Sequence, residues 1–269
     1  MRPVVMPPPI RPGDKVAVLS PSWAAPAHFP QVHEAAMRRL RDEYGVEPVE
    51  YPTTRRDATP QERAADLHAA FSDPEIRAVV ATIGGDDQIT VLRHLDAEVM
   101  TGDPKRFLGY SDNTNLLNWL HFHGVGAIHG GSTQVHLGPV PDAEHLESLR
   151  AALFGGDVVL TCPTSTRDFG LRWDDPAALT DPAPSQPAEP WTWLGPATSV
   201  TGPTWGGNLE ILQWTLAVGR YVRPVEEYAG CVLVLETSEE LPPAEEVFRM
   251  MRNLGERIIE GLQAAMPGG

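Results

Sequence analysis

Three apolar runs in this chain each end in polar residues suited to acyl-transfer chemistry: Gly84-Gly85-Asp86-Asp87, Ser111-Asp112-Asn113 and Glu236-Thr237-Ser238-Glu239. Ser111 stands in Gly109-Tyr110-Ser111-Asp112-Asn113. This is a partial match to the G-x-S-x-G elbow, in which a strand-to-helix turn lifts a serine hydroxyl above a sheet. Asn113, in place of the last glycine, tolerates a strained turn better than most residues. On this segment alone the reading of Ser111 as an ordinary helix N-cap stands equally well. Gly84-Gly85 makes either a plain tight turn or a turn whose exposed N–H groups hold an oxyanion. Neither phosphate-binding pattern, G-x-G-x-x-G or G-x-x-x-x-G-K-[ST], occurs here. A strand-end carboxylate such as Glu236 is more often a solvated terminus; as a triad member it would orient a histidine and stabilise its imidazolium. Of the nine histidines, His121, His123 and His129 follow the elbow and His136 comes next. Their spacing fits no metal-ligand pattern, and they read as packing or surface residues.

The elements that must position these groups alternate. Strands are expected at Lys15–Ser20, Val46–Tyr51, Ala78–Ile83, Arg106–Tyr110 and Val125–His129. Between and after them, helices are expected at Pro30–Tyr44, Thr59–Phe71, from after Asp87 through Leu95, Leu116–His123 and Ala143–Phe154, the second opened by the capping box Thr59-Pro60-Gln61-Glu62. Such alternation predicts an α/β fold with a mostly parallel sheet and helices on both faces. Ligands of such sheets lie at the carboxyl ends of the strands. This places residues 1–160 in an N-terminal domain carrying the candidate nucleophile. Residues 161–196, rich in proline with Trp173, Trp191 and Trp193 interleaved, form a linker or surface loop. Residues 197–269 form a C-terminal domain: a strand at Thr198–Thr201, a helix opened by Gly206-Gly207-Asn208, the apolar strand Cys231–Leu235, and a mainly helical run from Pro242 to Met266.

The 269 residues suffice for one large domain or two modest ones. Hydrophobic residues make up 42% and charged residues 21%, a globular balance. With 21 Lys and Arg against 36 Asp and Glu, the formal net charge of −15 repels phosphate backbones, so nucleic acid is excluded as an expected partner. Cys162 and Cys231 match no zinc or disulfide pattern. No apolar run is long enough to span a bilayer, and the proline-rich start lacks a signal-peptide core. The expected location is therefore the cytoplasm, with no membrane partner.

Taken together, Arg11-Pro-Gly-Asp-Lys-Val-Ala-Val-Leu-Ser-Pro21, Thr82-Ile-Gly-Gly-Asp-Asp87, Leu108-Gly-Tyr-Ser-Asp-Asn113, Trp205-Gly-Gly-Asn-Leu-Glu210 and Val234-Leu-Glu236 resemble the LD-carboxypeptidase family of serine peptidases. Asp86-Asp87 after the glycine pair, the Trp205 motif and the Trp191-Thr-Trp193 loop are more similar to its microcin C immunity branch. The resemblance implies an N-terminal Rossmann-like domain and a second domain of distinct topology. It also implies a cytoplasmic homodimer without cofactor or metal, and a Ser–His–Glu triad. Ser111 matches the nucleophile, Glu236 the acid, and the backbone N–H groups of Gly85 and Asp112 the oxyanion hole. Asp86, Trp191 and Asn208 are the expected substrate-binding residues; Trp191 either stacks on a base or, with Trp193, pins its loop to the body. The expected substrate is a small peptide or an aminoacyl-nucleotide, cleaved at an amide or phosphoramidate bond.

The family's triad histidine follows the glutamate in a glycine–histidine context, whereas no histidine follows His145 here. The resemblance therefore implies a second domain that is incomplete, and a chain impaired as a peptidase. Two alternatives follow: a non-catalytic binding protein that keeps the pocket, and a murein tetrapeptide LD-carboxypeptidase.

Overall fold

The computed structural model describes residues 3–167 and 169–259. Its N-terminal body is a five-stranded sheet of β1 (Lys15–Leu19), β2 (Glu47–Glu50), β3 (Ile76–Ala81), β4 (Arg106–Gly109) and β5 (Ile128–His129). The strand order is β2-β1-β3-β4-β5 and every pair is parallel.

The strands read as continuous apolar runs because both faces are covered. On one face Ala17, Leu19, Val79, Ala81 and Phe107 pack with helices α3 (Pro60–Ser72) and α6 (Thr114–Phe122) through Leu67, Phe71, Leu116 and Trp119. On the other, Val16, Val18, Ala78, Val80 and Leu108 pack with α2 (Pro30–Asp42) and α7 (Ala143–Phe154) through Met37, Leu40, Leu149 and Leu153. The alternation is that of side chains along a pleated strand. Short helices α1 (Ala25–His28), α4 (Ile89–Leu92) and α5 (Ala97–Gly102) complete this body. The Thr59 capping box at the start of α3 forms as its sequence predicts.

Residues 161–196 are mostly irregular, with one antiparallel pair, β6 (Ser165–Thr166) and β7 (Gln186–Pro187). Beyond them lies a smaller α/β unit. Its parallel strands β8 (Thr204–Asn208) and β9 (Val232–Glu236) are backed by α8 (Leu209–Val218) and α9 (Ala244–Leu254). Its core gathers Trp205, Leu209, Leu212, Leu216, Tyr228, Met250 and Leu254. Among the described residues, no helix is long and apolar enough to cross a membrane.

Three elements differ from expectation. Thr198–Thr201 forms no strand; the strand begins at Thr204 and includes Gly206, Gly207 and Asn208, which were expected to open the helix. Glycine is normally poor in strands, but β8 lies too close to its neighbours for side chains at these positions. A Cβ on Gly206 would collide with the Val234 carbonyl, and one on Gly207 would stand 2.6 Å from Thr114 Cγ2. After α9 the chain widens into a looser helical turn at Gly255–Ile259, and the rest of the expected run to Met266 lies outside the described residues.

Candidate active site

Strand β4 ends at Gly109, and α6 begins five residues later at Thr114. The turn between them holds Ser111 at φ 58°, in the left-handed region that a non-glycine residue seldom enters. An N-cap residue has extended dihedrals, so Ser111 is an elbow residue and not a cap. A strained conformation of this kind costs about 1–3 kcal/mol and persists only where its surroundings over-determine it.

Those surroundings are buried and polar. Asn113 Nδ2 donates to the carbonyls of Ile83 at 3.0 Å and Tyr110 at 3.1 Å. Gln88 Nε2 donates to Asn113 Oδ1 at 2.8 Å, and Gln88 Oε1 accepts from the Leu116 amide at 3.0 Å. The Asp112 carboxylate accepts from Ser22 Oγ, from the Gln88 amide at 2.9 Å and from Asn115 Nδ2 at 2.8 Å. Burial pushes the Asp112 carboxyl up from its ordinary value, while the Ser22 and Gln88 donors pull it back down and the nearby Asp87 charge adds to the rise.

The glycine pair closes over the elbow. A Cβ on Gly84 would lie 2.9 Å from both Cβ and Oγ of Ser111 and 3.4 Å from the Asp112 amide nitrogen. Only glycine leaves the space above the hydroxyl open. Gly85 packs against Ser22 and Trp23 with equally little room. Of the two aspartates that follow, Asp87 is tied to the buried Arg63 by two hydrogen bonds of 2.8 and 2.9 Å, and Asp86 is exposed.

Glu236 reaches this turn from the second sheet, where it ends β9 opposite Asn208. Its Oε1 accepts from the Ser111 amide at 3.2 Å. The Trp205–Glu210 segment explains how the two units are held in register. Trp205 Nε1 donates to Asn118 Oδ1 at 3.1 Å, and the Asn208 amide donates to Thr114 Oγ1 at 2.9 Å. Both acceptors sit on α6, the helix that the elbow opens. Glu210 Oε1 accepts from the amide and hydroxyl of Ser238 at 3.0 and 2.7 Å, fixing the loop just beyond Glu236.

Asn208, expected to meet substrate, is 2% exposed, and its side-chain oxygen caps α8 by accepting from Ile211. Trp191 is 44% exposed, set edge-on to Trp193, itself 83% exposed, at 5.9 Å. Neither indole is buried against the body.

By its sequence His129 reads as a packing or surface residue. It ends β5 in register with Gly109, and its Nε2 lies 3.6 Å from Glu236 Oε1. The Tyr110 ring is edge-on to His129 at 6.5 Å and to His136 at 5.5 Å. Burial, reinforced by the Glu236 charge, pushes the Tyr110 phenol up to about 12. Burial and the neighbouring His145 bring His136 down to about 4. A 570 Å³ cleft lined by Phe29, His136, Arg167, Arg172 and Trp173 opens beyond His136. No group of three or more His, Cys, Asp or Glu among the described residues could hold a metal ion.

Comparison with known proteins places this geometry in context. Residues 16–130 match the family model described as the LD-carboxypeptidase N-terminal domain, and residues 201–268 match that of its C-terminal domain. The chain is 32% identical to the murein tetrapeptide carboxypeptidase of Pseudomonas aeruginosa over 149 residues, which is 52% of this chain and 46% of that protein. It is 27% identical to the microcin C7 self-immunity protein MccF of Escherichia coli over 126 residues, 45% of this chain and 37% of that one. Both relatives are thus matched over less than half of their length. The crystal structure of an MccF-like protein from Streptococcus pneumoniae in complex with AMP superposes with a TM-score of 0.81 at 24% identity, covering 94% of this chain and 80% of that chain. That likeness is one of fold.

Proposed function

Because the chain belongs to the LD-carboxypeptidase family, we propose that it is a serine hydrolase acting on an amide or phosphoramidate bond of an aminoacyl- or peptidyl-nucleotide. One observation carries the reading: Ser111 sits at φ 58° on a braced elbow, with the Glu236 carboxylate 3.2 Å from its amide.

In this reading Ser111 Oγ attacks the scissile carbonyl or phosphoryl centre; the family's triad would pass its proton to an imidazole oriented by Glu236, at a position that no histidine after His145 supplies in this sequence. The Gly85 and Asp112 amides hold the oxyanion that forms, each donor contributing about 10²–10³-fold to the rate. The abstracted proton would return to the leaving amine, and water would release the bound group from Ser111 by the same steps in reverse roles. Asp86, exposed beside the turn, receives the ammonium of the aminoacyl group, and Trp191 offers an uncovered face for a base. The enzyme works in the cytoplasm as a homodimer, without cofactor or metal. Sedimentation of the purified chain as a monomer would remove the dimer from this picture.

The 32% identity with a murein tetrapeptide carboxypeptidase favours a second reading, removal of the terminal D-amino acid from a cell-wall tetrapeptide. The test is direct competition of substrates. Release of the amino acid from an aminoacyl-adenylate phosphoramidate, lost in Ser111→Ala, supports the first reading. Turnover of murein tetrapeptide alone replaces it with the second. Unchanged turnover in Ser111→Ala overturns both.

A further inference from the structure

We propose that His129 is a positioning residue for the Ser111–Glu236 pair. Its imidazole faces the Glu236 carboxylate from the opposite sheet and fixes the oxygen that receives the Ser111 amide. The proposal rests on the reading of Ser111 as the nucleophile.

The placement follows from the topology. Gly109 and His129 are register partners at the ends of adjacent parallel strands, and the elbow starts two residues beyond Gly109. An imidazole at that position stands at the level of the elbow. Glu236 comes to the same level from β9, and a single oxygen, Oε1, lies 3.2 Å from the Ser111 nitrogen and 3.6 Å from His129 Nε2. The His129 side chain is 29% exposed and that of Glu236 35%. Both units line a cleft that reaches His129, with Ile128 and His129 from β5 and Trp205, Gly206 and Val234 from the second sheet.

A carboxylate held by one backbone donor can still swing about its last torsions. A second donor, from the other side, removes that freedom. At 3.6 Å the two groups face each other at a distance longer than a hydrogen bond. Contacts of this kind are often long in ligand-free sites and tighten around bound substrate. The other titratable groups facing His129 are Tyr110 from the elbow, His136 from the turn after β5 and His145 from α7, the last two sharing a cleft with it. Glu236 is the only acid whose contact with His129 is defined among the described residues.

The experiment compares His129→Ala and His129→Gln in the 269-residue chain by two readouts. One is the Ser111 amide resonance, which reports its hydrogen bond to Glu236. The other is the rate at which a fluorophosphonate labels Ser111. His129→Ala should move the amide resonance toward its position in Glu236→Ala and slow labelling about 10- to 100-fold. His129→Gln, which keeps a side-chain N–H, should restore most of both. An amide resonance and labelling rate in His129→Ala equal to those of the unsubstituted chain would overturn the proposal, as would a glutamine variant no better than alanine. Failure of the unsubstituted chain to react at all would overturn the nucleophile reading instead, and the amide resonance would still decide the role of His129.

Discussion

The elbow that carries Ser111 and the strand end that carries Glu236 meet at one hydrogen bond, yet they are built by different means. Around the elbow, Gln88 and Asp112 are 0% exposed and Asn113 1%, and each of these side chains is matched to donors or acceptors on the neighbouring segments. On the acid side the Glu236 side chain is 35% exposed, its neighbour Val234 is 45% exposed, and β9 has β8 as its partner. The acid keeps its place through the Glu210–Ser238 contacts and through the docking of β8 on α6. The nucleophile's strained turn is thus set by burial, where a missing partner is expensive, and the acid by half-solvated contacts, where it is cheap. Substitutions of the buried polar side chains on the first side should register as stability, and those on the second as rate.

The sharpest break in that contrast comes from Gln88→Ala. It strands Asn113 Oδ1 and the Leu116 amide, two buried groups, each costing about 1–3 kcal/mol. Urea denaturation should show a loss of about 3–4 kcal/mol. Gly84→Ala comes next. Its methyl would press on Ser111 Oγ, and a displacement of that order lowers turnover about 10²-fold, read as kcat on the preferred substrate with a smaller fall in stability.

Acid probes the elbow side through His136 behind Tyr110. Its folded value of about 4 lies below the unfolded 6.5, so the unfolded chain binds more protons between them. The stabilisation is complete above pH 6.5 and disappears as pH falls toward 4, a change on the order of 1–3 kcal/mol. Urea midpoints across that window should fall with pH, and His136→Gln should reduce the slope, leaving the share that the half-buried His121 contributes. The smallest effect belongs to the acid side. Ser238→Ala removes one hydroxyl contact to Glu210 and should cost less than about 1 kcal/mol in stability, with a several-fold fall in kcat that exceeds the stability change. Equal stability costs from Gln88→Ala and Ser238→Ala would erase the contrast.

The same contrast explains what could be read from the sequence. The buried strands announce themselves because continuous apolar runs have few alternatives, and Ala143–Phe154 is helical over its expected span. The polar cluster after each strand was visible for the same reason. Residue types alone could not separate an elbow from a cap at Ser111, since the distinction is a dihedral angle. The β8 strand was misread because its glycines, weak in strands by propensity, are required there by the Val234 carbonyl and Thr114. The Oδ1 of Asn208 caps α8, a role that its place beside two glycines did not announce. His129 looked like packing because its partner lies 107 residues further along, on another sheet, and nothing in the local pattern connects them.

One contact has a consequence in time. Ser111 and Glu236 are 125 residues apart along the chain. A ribosome adding about 5–20 residues per second leaves roughly 6–25 seconds between the two, and domains generally fold as units while synthesis continues. During that interval the nascent protein holds its serine on a sheet that can already fold, while the carboxylate has yet to be made. The order of translation leaves Ser111 without the Glu236 carboxylate until the second sheet has been made.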